Sequence, residues 1–185
     1  MTRTRLHLVV PPIDARLAAE CFDAACAAGD VASALVQPDQ LAALMPAANR
    51  CGCAVIATTL AAARTCDGIE VNDAQAYAEA RKVLGKDKIV GAYCGTSRHL
   101  AMELAEEGAD YIAFTQGSDH GEESIIAWWS DLFEIPCVAA DPVSLEGVAP
   151  LLTYNPDFIR PDDAMWTSPA EAQRIVSATM KALAR

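Results

Sequence analysis

Lys88–Phe114, KIVGAYCGTSRHLAMELAEEGADYIAF, is the stretch that decides the fold. Ile89 to Tyr93 is a short apolar run opened by a charged residue. Gly95, Thr96 and Ser97 break that run, and a hydroxyl there can cap a helix. From His99, Leu100, Leu104 and Ala105 recur at helical spacing, with Glu103, Glu106 and Glu107 turned mostly outward. Gly108 stops the helix, and Asp110 leads into a second apolar run, YIAF. Run, helix and run of this kind form a βαβ unit with parallel strands. Parallel strands are covered on both faces, so they read as continuous apolar runs, as both do here.

The same unit repeats outward in both directions. Apolar runs at 6–10, 31–36, 53–57, 68–71, 137–140 and 158–160 alternate with helical patterns at 14–28, 38–49, 60–64, 74–84, 122–133, 145–152 and 170–183. Eight strand–helix units predict an α/β fold, a compact (β/α)8 TIM barrel in one domain over 1–185. A doubly wound open sheet is the second option, but it wants a glycine-rich loop after strand 1, where Pro11-Pro12 stands. Four even-numbered strands are entered through Asp30, Asp67, Asp110 and Asp157, spaced by 37, 43 and 47 residues. This period of about two units predicts a fourfold internal repeat, with aspartates at the bottom rim bracing helix-to-strand turns. Asp67 and Asp110 are therefore read as structural.

Composition narrows the function. The formal net charge is −11, which argues against a nucleic-acid surface, since that needs a basic patch. No apolar run approaches the roughly 18 residues of a membrane span. MTRTRLHLVVPPI is too short in its apolar part to read as a secretory signal. Seven cysteines without an export signal read as reduced thiols in a cytoplasm.

In a barrel the chemistry lies where strands end. Glu70 on strand 4 is a weak acid–base candidate facing the mouth, and His120, in the polar loop 115–124, is another. Thr96, Ser97 and Arg98 open a helix with free amides and a cation, an anion seat or simply a cap. Arg160 ends strand 8, the usual neighbourhood of barrel phosphate sites; it reads as a phosphate ligand or as the partner of Asp141 or Asp162. Asp73 reads as a Mg²⁺ ligand or the cap of the Ala74 helix. His7 lies within strand 1, facing in or out. Trp128 and Trp129 read as packing or as a homodimer contact rather than a ligand platform.

Three blocks in order carry a resemblance. Asp67-Gly68-Ile69-Glu70-Val71, then Asp73 and AEARKVLG, resembles the "aDGvHlGq-D…aRallG" block of thiamine phosphate synthases. IVG, SRH and GADYIAF resemble the next block, and IPCVA resembles strand 7 of that family. The similarity spans roughly Cys66 to Ala139. The family, which includes a related thiazole tautomerase, consists of compact (β/α)8 barrels. The resemblance implies a transferase of thiamine biosynthesis that joins a pyrimidine methyl diphosphate to a thiazole phosphate with Mg²⁺. Its ligand would be a small phosphorylated heterocycle. Several positions depart from the family. Strand 2 has Ser33 to Gln37 with no cation, Thr58-Thr59 replaces an Asn-Asp pair, and the loop after strand 6 has no lysine. Ala140-Asp141-Pro142 stands in place of a Gly-Gly phosphate turn. These departures imply weak or absent synthase turnover, or a non-catalytic relative that binds another small molecule or a protein partner.

Overall fold

The computed structural model describes residues 4–116 and 124–184. Eight parallel strands close in chain order, with β1 (Arg5–Val9) pairing both β2 (Val31–Val36) and β8 (Phe158–Pro161). Between them lie β3 (Ala54–Ala57), β4 (Gly68–Val71), β5 (Ile89–Gly95), β6 (Ile112–Phe114) and β7 (Cys137–Val143). The outer ring is α1 (Ala15–Ala28), α2 (Leu41–Cys51), α3 (Leu60–Ala63), α4 (Ala74–Leu84), α5 (Arg98–Glu106), α6 (Ile125–Leu132), α7 (Leu145–Leu152) and α8 (Pro169–Leu183). This is the (β/α)8 barrel expected from the alternation of runs and helices. No helix among the described residues is long and apolar enough to cross a membrane.

Strands β5, β7 and β8 exceed their expected length, β8 by the single residue Pro161. β5 continues to Gly95 with an irregular register beside Gly95, and β7 runs through Asp141 and Pro142 to Val143. Pro142 lies in a strand because the β7–β8 register slips between Ala139 and Pro142. A bulge of this sort spares the missing N–H. A short 3₁₀ turn at Asp163–Thr167, also unforeseen, follows β8.

Strand alternation splits the apolar residues into two bodies. Outward side chains such as Leu6, Leu8, Val55 and Ile112 meet the helices in the main core. Inward, Tyr111, Ala113 and Val138 form a small separate cluster with Ile89, Ala140 and Phe158. The Tyr111 ring needs a gap opposite it, and Gly91 supplies one: a β-carbon on Gly91 would lie 2.1 Å from the ring.

The aspartate repeat is a set of clamps. Asp67 donates its N–H to the Val55 carbonyl (3.0 Å) while its carboxylate accepts the Val55 N–H (2.7 Å). Asp110 does the same to Val90, with 3.0 and 2.7 Å bonds, and Asp157 to Cys137, with 3.1 and 2.9 Å bonds. Asp30 differs, holding the Arg5 guanidinium through two bonds of 2.8 and 2.7 Å. Each aspartate thus ties an even strand to the odd strand before it, at the end opposite the mouth. Asp110 also pairs with Arg81 at 2.7 Å. Replacing Asp110 with Asn should lower stability by about 1 kcal/mol, or about 2–4 °C in melting temperature. Ligand affinity should be unchanged. A lost ligand site with an unmoved melting temperature would contradict this placement.

Candidate functional site at the barrel mouth

A cavity of about 320 Å³ opens at the C-terminal ends of the strands, lined by residues that include His7, Glu70, Tyr93, Asp141 and Arg160. A hollow of about 500 Å³ between α2 and α3 gathers no charged side chain. Small-molecule sites combine a concave shape with a few convergent polar groups, and the mouth has both.

His7 points inward and is 2% exposed. Its Nδ1 lies 2.8 Å from the Ser33 hydroxyl. Burial, with the nearby Arg160 charge, lowers its pKa to about 4, so the ring is neutral at ordinary pH. Glu70 accepts a 2.9 Å hydrogen bond from the Tyr111 hydroxyl. Desolvation raises the Glu70 carboxyl to about 7, against the smaller opposing effect of that bond. Burial and the Glu70 charge push Tyr111 well above its ordinary range, so it stays a donor. The result is a carboxyl poised between its two protonation states, resting on a tyrosine and opening onto a cavity.

Among the described residues, Arg160 is the one lysine or arginine in this lining. Its guanidinium holds Asp163 through bonds of 3.1 and 2.6 Å and donates to the Ala140 carbonyl at 3.2 Å. The partner is thus Asp163, not the Asp141 or Asp162 read from the sequence. Asp162 instead accepts the Ala164 N–H (2.8 Å), and Asp141 accepts the Gln116 N–H (2.6 Å). Asp163 lies on the unforeseen 3₁₀ turn, which is why spacing did not find it.

The fold brings Glu70 and Arg160 into one cavity but leaves Thr96, Ser97, Arg98 and Asp73 outside its lining. Ser97 caps α5 by accepting the Leu100 N–H at 3.2 Å. Thr96 is exposed. The Arg98 guanidinium lies 4.4 Å from the centre of the Trp128 ring, a cation–π distance. Asp73 is exposed and caps α4, accepting the Ala76 N–H at 2.7 Å. No group of three metal-ligating side chains gathers among the described residues. Thr58 and Thr59 stand where the resemblance to the family implies a second carboxylate. His120 lies outside the described residues. Tyr93 and Tyr111 were not singled out from the sequence; the usable signal was Gly91, a glycine at an inward position beside the strand that carries a large ring.

Comparison with known proteins gives the family. Residues 39–159 match the family described as thiamine monophosphate synthase. A thiamine-phosphate synthase of Rhodospirillum centenum is 35% identical over 192 aligned residues, covering 92% of this chain and 93% of that protein. One from Hyphomonas neptunium is 31% identical, covering 98% and 96%. Among solved structures, the thiamine phosphate pyrophosphorylase from Pyrococcus furiosus superposes with a TM-score of 0.79 at 15% identity, covering 99% of this chain and 96% of that one. A barrel of matching topology, with sequence similarity along nearly its whole length, is a member of the thiamine monophosphate synthase family.

Proposed function

We propose that the protein binds a small phosphorylated heterocycle of thiamine assembly at the barrel mouth, as a thiamine phosphate synthase-type transferase with slow or undetectable synthase turnover. The observation that carries this reading is Arg160, a cation held in place by Asp163 at the rim of a cavity that fits a small ring. A guanidinium presents paired donors to phosphate oxygens. Thr96, Ser97 and Arg98 are the further phosphate candidates, at the start of α5. The setting is a reducing cytoplasm, and a homodimer remains part of the proposal.

Calorimetry with thiazole phosphate, with and without Mg²⁺, tests it. The wild type should bind, and R160A should lose about 10- to 100-fold in affinity, the size of a charge-assisted bond. Equal affinity in wild type and R160A would remove Arg160 from the site. No binding by either would favour a non-catalytic relative with another ligand or a protein partner.

Glu70 favours a second reading, a proton-transfer isomerase of the thiazole tautomerase kind. A carboxyl with a pKa near 7 can both give and take a proton at neutral pH. Under that reading E70Q loses turnover while keeping affinity, because the amide preserves the shape and the Tyr111 bond.

A further inference from the structure

At the bottom of the barrel, far from the mouth, two thiols touch. Cys26 lies in the last turn of α1, and Cys51 ends α2. The Cys51 thiol donates to the Cys26 sulfur with the two Sγ atoms 3.0 Å apart. Cys51 is exposed and Cys26 half-buried. Arg50 and Asp23 form an ion pair at 2.6 Å across the same helix seam, so the two helices are already held in this juxtaposition. Cys53 follows on the far side of Gly52 and is buried. Gly52 has a φ of 71°, the left-handed turn that swings the chain from α2 into β3.

We propose that Cys26 and Cys51 form an oxidisable pair that hydrogen peroxide closes to a disulfide joining α1 to α2. Cys51 is the thiol that solvent reaches, so it reacts first. Its thiolate attacks one peroxide oxygen, the O–O bond breaks, and Cys51 becomes a sulfenic acid while the first water is released. Cys26 then attacks the Cys51 sulfur. The S–S bond forms, the S–O bond breaks, and the departing hydroxide takes the Cys26 proton to leave as the second water. Two thiols lose two electrons in all, and one peroxide gains them. Burial, with the contact to Cys51, raises Cys26 far above an ordinary thiol, so Cys26 waits as the protonated resolving partner rather than the first target. Disulfide bonding needs sulfurs brought to about 2.05 Å, a small closure for atoms already in contact. The bridge would close a loop of one strand–helix unit, β2 and α2, and restrict the unfolded chain.

The experiment uses the intact folded protein, exposed to peroxide and then denatured under alkylation. Before oxidation all seven cysteines should titrate as free thiols. Afterwards five should remain, with a mapped cross-link between the Cys26 and Cys51 peptides. The oxidised protein should melt about 5–10 °C higher, with ligand affinity at the mouth unchanged. C26S should abolish the cross-link and leave a sulfenic acid on Cys51 that a dione reagent traps, while C53S should cross-link like wild type. If C26S fails to fold, the peptide map of the wild type still decides the matter. A cross-link to Cys53 would overturn the proposal. So would Cys51 passing to sulfinic acid without a bridge, or seven free thiols surviving a peroxide dose that oxidises free cysteine.

Discussion

Purified protein supplied with pyrimidine methyl diphosphate, thiazole phosphate and Mg²⁺ should yield no thiamine phosphate above background on chromatography. The reason is electrostatic. A departing diphosphate carries several negative charges, and catalysis needs donors already placed where that charge develops. Here the places expected to hold such groups carry Val36, Thr58, Thr59 and Asp141. Asp141 lines the cavity itself, and its charge repels a phosphate. Arg160 is the cation of the lining, and part of its charge is committed to Asp163. The loop residues 117–123, GSDHGEE, include no lysine or arginine. A missing donor in a site of this type costs about 2.7–4 kcal/mol, or about 10²–10³ in rate. Several absences need not add, but each removes a donor from the place where charge develops. Ordinary turnover that disappears in R160A and D73A would overturn this expectation and place both residues in a working synthase site.

The second large effect is on stability against pH. The Glu70 carboxyl is raised from about 4.5 to about 7 in the folded protein, first by burial. A raised folded pKa means that the native state binds the proton more tightly than the unfolded chain. Its stabilising effect is complete below about pH 4.5 and is lost as pH climbs through 7. The difference amounts to at most about 3 kcal/mol, because the residue opens onto the cavity. His7 works in the opposite sense, since its lowered pKa of about 4 costs stability as pH falls below its ordinary 6.5. Tyr111, Tyr93, Asp141 and Arg160 also face this region, so the wild-type curve alone is ambiguous. The clean measurement is the difference between E70Q and wild type in denaturant unfolding. It should be near zero at pH 4.5 and favour E70Q by up to about 3 kcal/mol at pH 8. A difference that stays flat across this range would show that Glu70 keeps an ordinary carboxylate pKa.

The parts of this molecule differ in how openly the sequence shows them. Strands such as Ile89–Tyr93 are legible because both faces are buried, so apolar character runs unbroken, and glycines such as Gly85 and Gly108 mark where helices end. The clamping aspartates were legible as a period, because the backbone geometry they serve recurs every two units. The mouth was harder. Glu70 and Arg160 could be placed at strand ends, but their partners, Tyr111 and Asp163, are set by register and by a turn that no periodicity announces. The sequence also offers two roles for each hydroxyl or carboxylate at a helix start. Asp73 and Ser97 both cap their helices here. Such residues are chosen by the helix first, and the same pattern would arise with no ligand at all.

The three paired clamps at Asp67, Asp110 and Asp157, with the Asp30–Arg5 pair, all grip the barrel from beneath. Nothing they hold depends on what the strands carry at their far ends. The molecule is therefore built like a cup whose foot is cast separately from its rim. Residues at the rim can be exchanged without renegotiating the assembly of the whole. A substitution at the mouth leaves these bonds in place. For an engineer, the same separation marks the rim of this small barrel as a place to graft new chemistry, with the four aspartates left untouched.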